Sequence, residues 1–192
     1  VIGPGMLVFD WKVNTGSYPG YYDRLDFFMD TTLLDTVSGI TDWSTRTLYI
    51  SPGSHELKWT YSWNSGGGAN CAWVDHVRWQ PATETPLCES LDNCDLTWTT
   101  SAAAWFGQTG DFVEGGSAAQ SGSAATRTYT TLSATVTGPG LLSFDWKVAT
   151  RPQAYNGTYG YLEALAGATS NVLLDRIIGE KDWASKAIFL GP

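Results

Sequence analysis

VIGPGMLVFDWKV at Val1–Val13 and VTGPGLLSFDWKV at Val136–Val148 agree at ten of thirteen positions, at an offset of 135. In the first, Leu7, Phe9, Trp11 and Val13 alternate with Val8, Asp10 and Lys12. A period of two sets large apolar side chains on one face of a strand and polar ones on the other. The second stretch keeps the pattern with Leu142, Phe144, Trp146 and Val148, while Asp145 and Lys147 face out. Each stretch follows Gly-Pro-Gly, which reads as a turn, with Pro fixing φ and Gly admitting φ > 0.

Working outward, Leu34-Asp35, Gly39, Asp42-Trp43 and Pro52 recur as Leu174-Asp175, Gly179, Asp182-Trp183 and Pro192, at an offset of 140. The chain therefore reads as a tandem repeat whose extra residues sit in loops. Further strands are expected at 22–30, 47–50, 55–63 and 72–79, with Ser51-Pro52-Gly53-Ser54 turning the chain between two of them. In HELKWTYSW, Leu57, Trp59, Tyr61 and Trp63 share a face. Gln80–Pro86 is polar, carries two prolines and reads as a linker. Beyond it, 96–100 and the Thr-rich 126–136 read as strands, and 115–125 as a small-residue loop. The expected division is 1–81 for the closing part of one repeat, 82–87 for a linker, and 88–192 for the next repeat. Both copies are expected to be incomplete in this chain, the second stopping before its last strands, in a module of about 135 to 140 residues that suits a two-sheet sandwich.

Composition points the same way. Ten Trp, nine Tyr, 21 Gly and only 16% charged residues favour short strands joined by turns over helices, so the expected class is all-β. A net charge of −8 argues against binding a phosphate backbone, which needs a cationic surface. No run of 18 apolar residues is present to span a bilayer as a helix. Cys88 and Cys94 are spaced for a small disulfide, consistent with an oxidising exterior. Cys71 is either a buried thiol or the partner of one of them. Phe9, Trp11, Trp43, Trp59, Phe144, Trp146 and Trp183 are the expected core.

The motifs GPG-x-L-x-F-x-W-K-V, Y-x-x-L-x-F, G-x-x-x-W, P-G-x-H-x-L-x-W-x-Y and A-W-V-D-x-V-x-W together resemble a repeat module of large secreted and surface proteins of bacteria. It is similar in outline to the jelly-roll modules of the MAM and cleaved-adhesin type. The resemblance implies a β-sandwich of an extracellular or cell-surface array. The second copy departs from the first where Gly160 stands for Asp23 and Ala164 for Phe27.

Chemistry at a site is sparse. No G-x-S-x-G elbow, H-E-x-x-H or Cys-x-x-Cys is present, and the only histidines are His55, expected to cap a turn, and His76 beside Asp75. Asp23, Asp26 and Asp30 form a carboxylate cluster, but Asp23 and Asp30 become Gly160 and Gly167 in the other copy, unlike a working acid–base pair. No enzyme and no cofactor are expected, with calcium at Asp92 and Asp95 the one metal site to test. Tyr18, Tyr21, Tyr155 and Tyr159 lie in Gly-rich loops and are the candidates for stacking on a glycan. Asn156-Gly157-Thr158 forms a glycosylation sequon. The expected function is a structural or adhesive protein whose unfinished modules are completed by residues beyond Pro192, by another part of the chain or by a neighbouring subunit, giving a fibre. The alternative is a lectin-like carbohydrate-binding module.

Overall fold

A computed structural model describes residues 1–15, 23–63, 70–101, 104–122, 128–150, 160–167 and 171–192. It is all-β, with a single short helix among the described residues. The chain divides into two compact units, Val1–Ala134 and Thr135–Pro192.

In the first unit, β1 (Ile2–Asn14) lies between β4 (Ser44–Ser54) and β6 (Cys71–Pro81), and β2 (Arg24–Met29) lies between β3 (Thr32–Val37) and β5 (Leu57–Ser62). All pairings are antiparallel. The two sheets meet across a core of Leu7, Phe9, Trp11, Val13, Leu25, Phe27, Met29 and Ile50. Phe9 stands at its middle, with ring centroids 5.5 Å from Trp11, 5.0 Å from Phe27 and 5.1 Å from Trp59. Two of these are edge-on contacts, the geometry that the ring quadrupoles favour.

The Gly-Pro-Gly segment is not a turn. β1 already begins at Ile2, and neither Gly3 nor Gly5 takes a positive φ. Glycine is required there because there is no room for a side chain: a Cβ on Gly3 would sit 1.9 Å from the Ser51 carbonyl oxygen, and one on Gly5 2.5 Å from the Trp79 ring. A Cβ on the matching Gly138 would likewise sit 2.0 Å from the Gly191 carbonyl oxygen. Both Gly3-Pro4 and Gly138-Pro139 are cis.

Residues 82–87 make backbone contacts within the first unit. Ala82 N–H donates to Pro4 O at 2.9 Å and Thr85 bridges to Gly107. The first unit also takes in helix α1 (Leu87–Ser90), β7 (Thr99–Thr100), β8 (Phe106–Gln108), β9 (Ala118–Gln120) and β10 (Leu132–Ser133). β8 pairs with β9, and β7 with β10. Strand structure in the expected 126–136 segment is confined to Leu132–Ser133 among the described residues, and β9 falls inside the segment expected to be a loop. A Cys88–Cys94 disulfide closes the turn after α1, whereas Cys71, at the start of β6, forms no disulfide.

In the second unit, β11 (Gly140–Ala149) pairs with β14 (Glu180–Leu190), and β12 (Tyr161–Ala166) with β13 (Val172–Ile178). Residues that match in sequence make matching contacts. Met6 faces Tyr49 across β1 and β4 as Leu141 faces Phe189 across β11 and β14. Thr45 donates to Asp10 at 2.6 Å as Ser185 does to Asp145, and Lys12–Asp42 is answered by Lys147–Asp182. The Phe144 and Trp146 rings meet edge-on at 5.4 Å.

Of the expected core, Phe9 and Trp11 are buried and Trp59 packs against them, while in the second unit Trp146 is buried and Phe144 and Trp183 are half-buried. Trp43 is a correction: it is 46% exposed. It precedes the first residue of β4, so strand alternation does not govern it, and its backbone N–H donates to the Asp42 side chain at 2.8 Å. Phe9→Ala should therefore lower the stability of the first unit by about 3–5 kcal/mol. Trp43→Ala should cost less than about 1 kcal/mol, as is usual for an exposed position. Urea unfolding of the two variants, followed by circular dichroism, measures the difference.

Candidate functional site

Two histidine–aspartate pairs draw together most of the polar geometry of the first unit. The first forms where two turns meet. Asp30 ends the β2 hairpin strand with φ +54, a left-handed conformation that Asp tolerates better than most residues. Its Oδ1 accepts the Glu56 N–H at 2.9 Å, and its Oδ2 lies 2.9 Å from Nδ1 of His55. On the other side of the imidazole, Nε2 is 3.1 Å from Ser51 Oγ. Met29, Asp30, Thr32, Ser51, Pro52, His55, Glu84, Ala104, Trp105, Phe106 and Gly122 line an adjoining cleft.

Serine, histidine and aspartate in that order match the nucleophile, base and orienting group of acyl transfer. A second set of distances competes with that assignment. Nε2 is also 3.2 Å from the Ser51 carbonyl oxygen and 3.3 Å from that of Pro52. One tautomer of the imidazole donates from Nδ1 to Asp30 and the other from Nε2 to those carbonyls, and either one braces the Ser51–Ser54 turn. The side chain thus ties the β2–β3 turn to the β4–β5 turn, the capping role expected for His55. The sequence places Gly191 and Gly167 where Ser51 and Asp30 stand, so the second copy lacks both partners.

The second pair arises from a β-bulge. Between Val8 and Asp10 the β1–β6 register shifts, and His76 takes φ +49. An extra residue on one strand re-aims a side chain, and here Nδ1 of His76 is turned onto Asp10 Oδ2 at 2.8 Å. Asp75, the neighbour in sequence, instead accepts the backbone N–H of His76 at 2.7 Å. Thr45 Oγ1 donates to the other oxygen of Asp10, and with His76 holds that carboxyl below its ordinary pKa.

The remaining candidates separate. Asp26 is ion-paired with Arg24 at 2.8 Å, and Asp30 lies 2.9 Å from Nδ1 of His55. Asp23 and Asp26 are buried, and burial together with the Asp23 charge pushes the Tyr61 hydroxyl upward. Asp92 and Asp95 are exposed, and no group of three or more metal-ligating side chains occurs among the described residues. The Asp92 carboxylate lies against Gly115, where a Cβ would be 2.3 Å from Oδ1. Tyr18, Tyr21, Tyr155, Tyr159 and the sequon lie outside the described residues. No helix among the described residues is long and apolar enough to cross a membrane. The Ser51–His55–Asp30 group carries no sequence motif, and only the Pro-Gly-x-His spacing hinted that His55 belongs to a turn. Comparison with protein-family models, curated proteins and solved structures gives no match.

The His55 hydrogen bond, followed by the Glu56 N–H, holds the Asp30 carboxyl below its ordinary value. A carboxyl whose folded pKa lies below its unfolded one contributes stability above the unfolded value, about 4, and loses it as pH falls through the folded value. The stability gap between wild type and Asp30→Asn should be full at pH 5–6, shrink below about pH 4, and vanish once both states bind the proton. Denaturant midpoints across that range check it, and a gap independent of pH would contradict the assigned contact.

Proposed function

We propose that this chain belongs to a non-enzymatic, extracellular repeat protein of structural or adhesive role, whose modules associate by completing one another's sheets. The repetition of one strand pairing carries this reading: β11 pairs with β14 as β1 pairs with β4, with Leu141 facing Phe189 as Met6 faces Tyr49. An unpaired strand edge presents a row of N–H and C=O groups that bind a further strand. A contact that joins unlike surfaces head to tail propagates into a filament unless it closes into a ring.

Two other features support the same reading. The Cys88–Cys94 disulfide suits an oxidising exterior. His55 is occupied by two turns, and Asp30 and Ser51 have no counterparts in the second copy, as befits a fold device rather than a reaction centre.

Sedimentation velocity and electron microscopy of the purified chain over a range of concentrations test assembly. Growing oligomers or fibres are expected, and a monodisperse monomer at every concentration would remove the proposal. A glycan-array signal lost in Tyr18→Ala or Tyr155→Ala would put sugar recognition in its place.

Hydrolysis of p-nitrophenyl acetate separates the fold device from an enzyme. The rate with Ser51→Ala should equal that of the unaltered chain. An acyl-enzyme burst that needs Ser51 would establish acyl transfer instead.

A further inference from the structure

At the end of β1 away from Val1, the outward face of the β4–β1–β6 sheet interleaves aromatic rings with charges. Lys12 of β1 lies across from Trp73 of β6, and its Nζ is 5.7 Å from the centroid of that ring. On its other flank the same Nζ is 3.7 Å from the carboxylate of Asp42, the neighbour of Trp43. Both tryptophans are open to solvent, Trp43 at 46% and Trp73 at 39%. Two residues back along β1, on the face of Lys12, Asp10 is fixed between Thr45 Oγ1 at 2.6 Å and His76 Nδ1 at 2.8 Å.

Stability does not explain these rings. Surface ion pairs contribute little and an exposed cation–π contact only somewhat more, so neither accounts for two large apolar rings held in water. The arrangement nevertheless recurs. In the second unit Lys147 is 3.1 Å from Asp182 and 6.0 Å from the centroid of the Trp183 ring. The Trp183 backbone N–H donates to Asp182 as that of Trp43 does to Asp42.

A flat aromatic face bordered by groups that donate and accept hydrogen bonds suits a pyranose, which has apolar C–H faces and a rim of hydroxyls. Rings whose hydroxyls all lie equatorial, as in a β-linked glucan, offer the flattest such faces. β4 and β6 flank β1, and neighbouring strands lie about 4.8 Å apart, so Trp43 and Trp73 stand roughly 10 Å from one another, room for two linked rings. The net charge of −8 repels polyanions and so favours a neutral chain over an acidic one. We infer that Trp43, Lys12 and Trp73 form a binding site for a neutral polysaccharide of gluco-type pyranose rings, with the tryptophans stacking on ring faces and Lys12, Asp42 and His76 meeting the hydroxyls. Trp183, with Lys147 and Asp182, forms the matching site of the second unit. Binding needs no contact between copies, so this site stands apart from assembly.

Electrophoresis of the full chain through native gels containing hydroxyethylcellulose, a neutral β-glucan, tests the inference. The unaltered chain should be retarded there and not by polygalacturonate, an acidic chain. In titration calorimetry with cellohexaose, Kd should rise several-fold in Trp43→Ala and further in Trp43→Ala/Trp73→Ala, and binding should be lost when Trp183→Ala is added. Tyr129→Ala removes a ring that is 85% exposed but has no place in the row, and should bind as the unaltered chain does. Tyrosine at the same three positions, expected to bind with intermediate affinity, replaces alanine should the alanine variants lose the circular-dichroism signal of the fold. No retardation by the neutral glucan, retardation by the acidic chain alone, or full binding by the folded triple variant overturns the inference. A monomer at every concentration that still binds the glucan would remove assembly and leave this site standing.

Discussion

The contact on which the first unit depends is the meeting of Phe9 with Phe27 and Trp59, because it is where the ring of one sheet enters the other. Everything else in the core lies around that junction. Strands alone do not make a stable layer; a sheet must bury its apolar face against something. Three aromatic rings within 5.1 Å of one another supply large areas together with preferred ring geometry. In the second unit Phe144 keeps its edge-on partner Trp146, but the sequence gives Ala164 where Phe27 stands. Phe144 is accordingly only half-buried, and among the described residues of that unit only Trp146 and Val148 are buried apolar side chains.

Around this junction the polar contacts set register rather than strength. Asp10 with Thr45, Asp145 with Ser185, and the two lysine–aspartate pairs sit at the surface, where ion pairs contribute little. A one-residue slip between β1 and β4 would break all of the first unit's contacts and turn Phe9 outward. Arg46 over Trp11, with its guanidinium against the buried Asp35, adds a more enclosed link between the sheets.

Much of this was legible in the sequence where one face of a strand is buried and the other wet. Leu7, Phe9, Trp11 and Val13 announce β1, and Leu57, Trp59 and Tyr61 announce β5. β3 was not legible, because Leu33 and Leu34 are adjacent and only Leu34 packs on the core, Leu33 being 47% exposed. Alternation also fails where a bulge changes the count, as at His76, and outside strands, as at Trp43. Gly3 and Gly5 look like turn residues because glycine serves turns and close approach alike, and only the atoms a Cβ would strike, Ser51 O at 1.9 Å and the Trp79 ring at 2.5 Å, tell the two roles apart. The Ser51–His55–Asp30 group joins residues brought together by two separate turns, a proximity that no local pattern encodes.

The departures from alternation nevertheless carry information of their own. A sheet wetted on one side should show polar residues at every second position, as Asp10 and Lys12 do. At Met6 and Tyr49 the outward positions are apolar, and in the first unit a third layer accounts for it, with Phe106 lying on Tyr49. Leu141 and Phe189 repeat the apolar choice at matched positions. An exposed phenylalanine beside an exposed leucine gives a lone strand pair no stability and makes it prone to association. In the first unit the strand pattern therefore encodes two interfaces: one between the two sheets, and one that stacks another element on the back of β1 and β4.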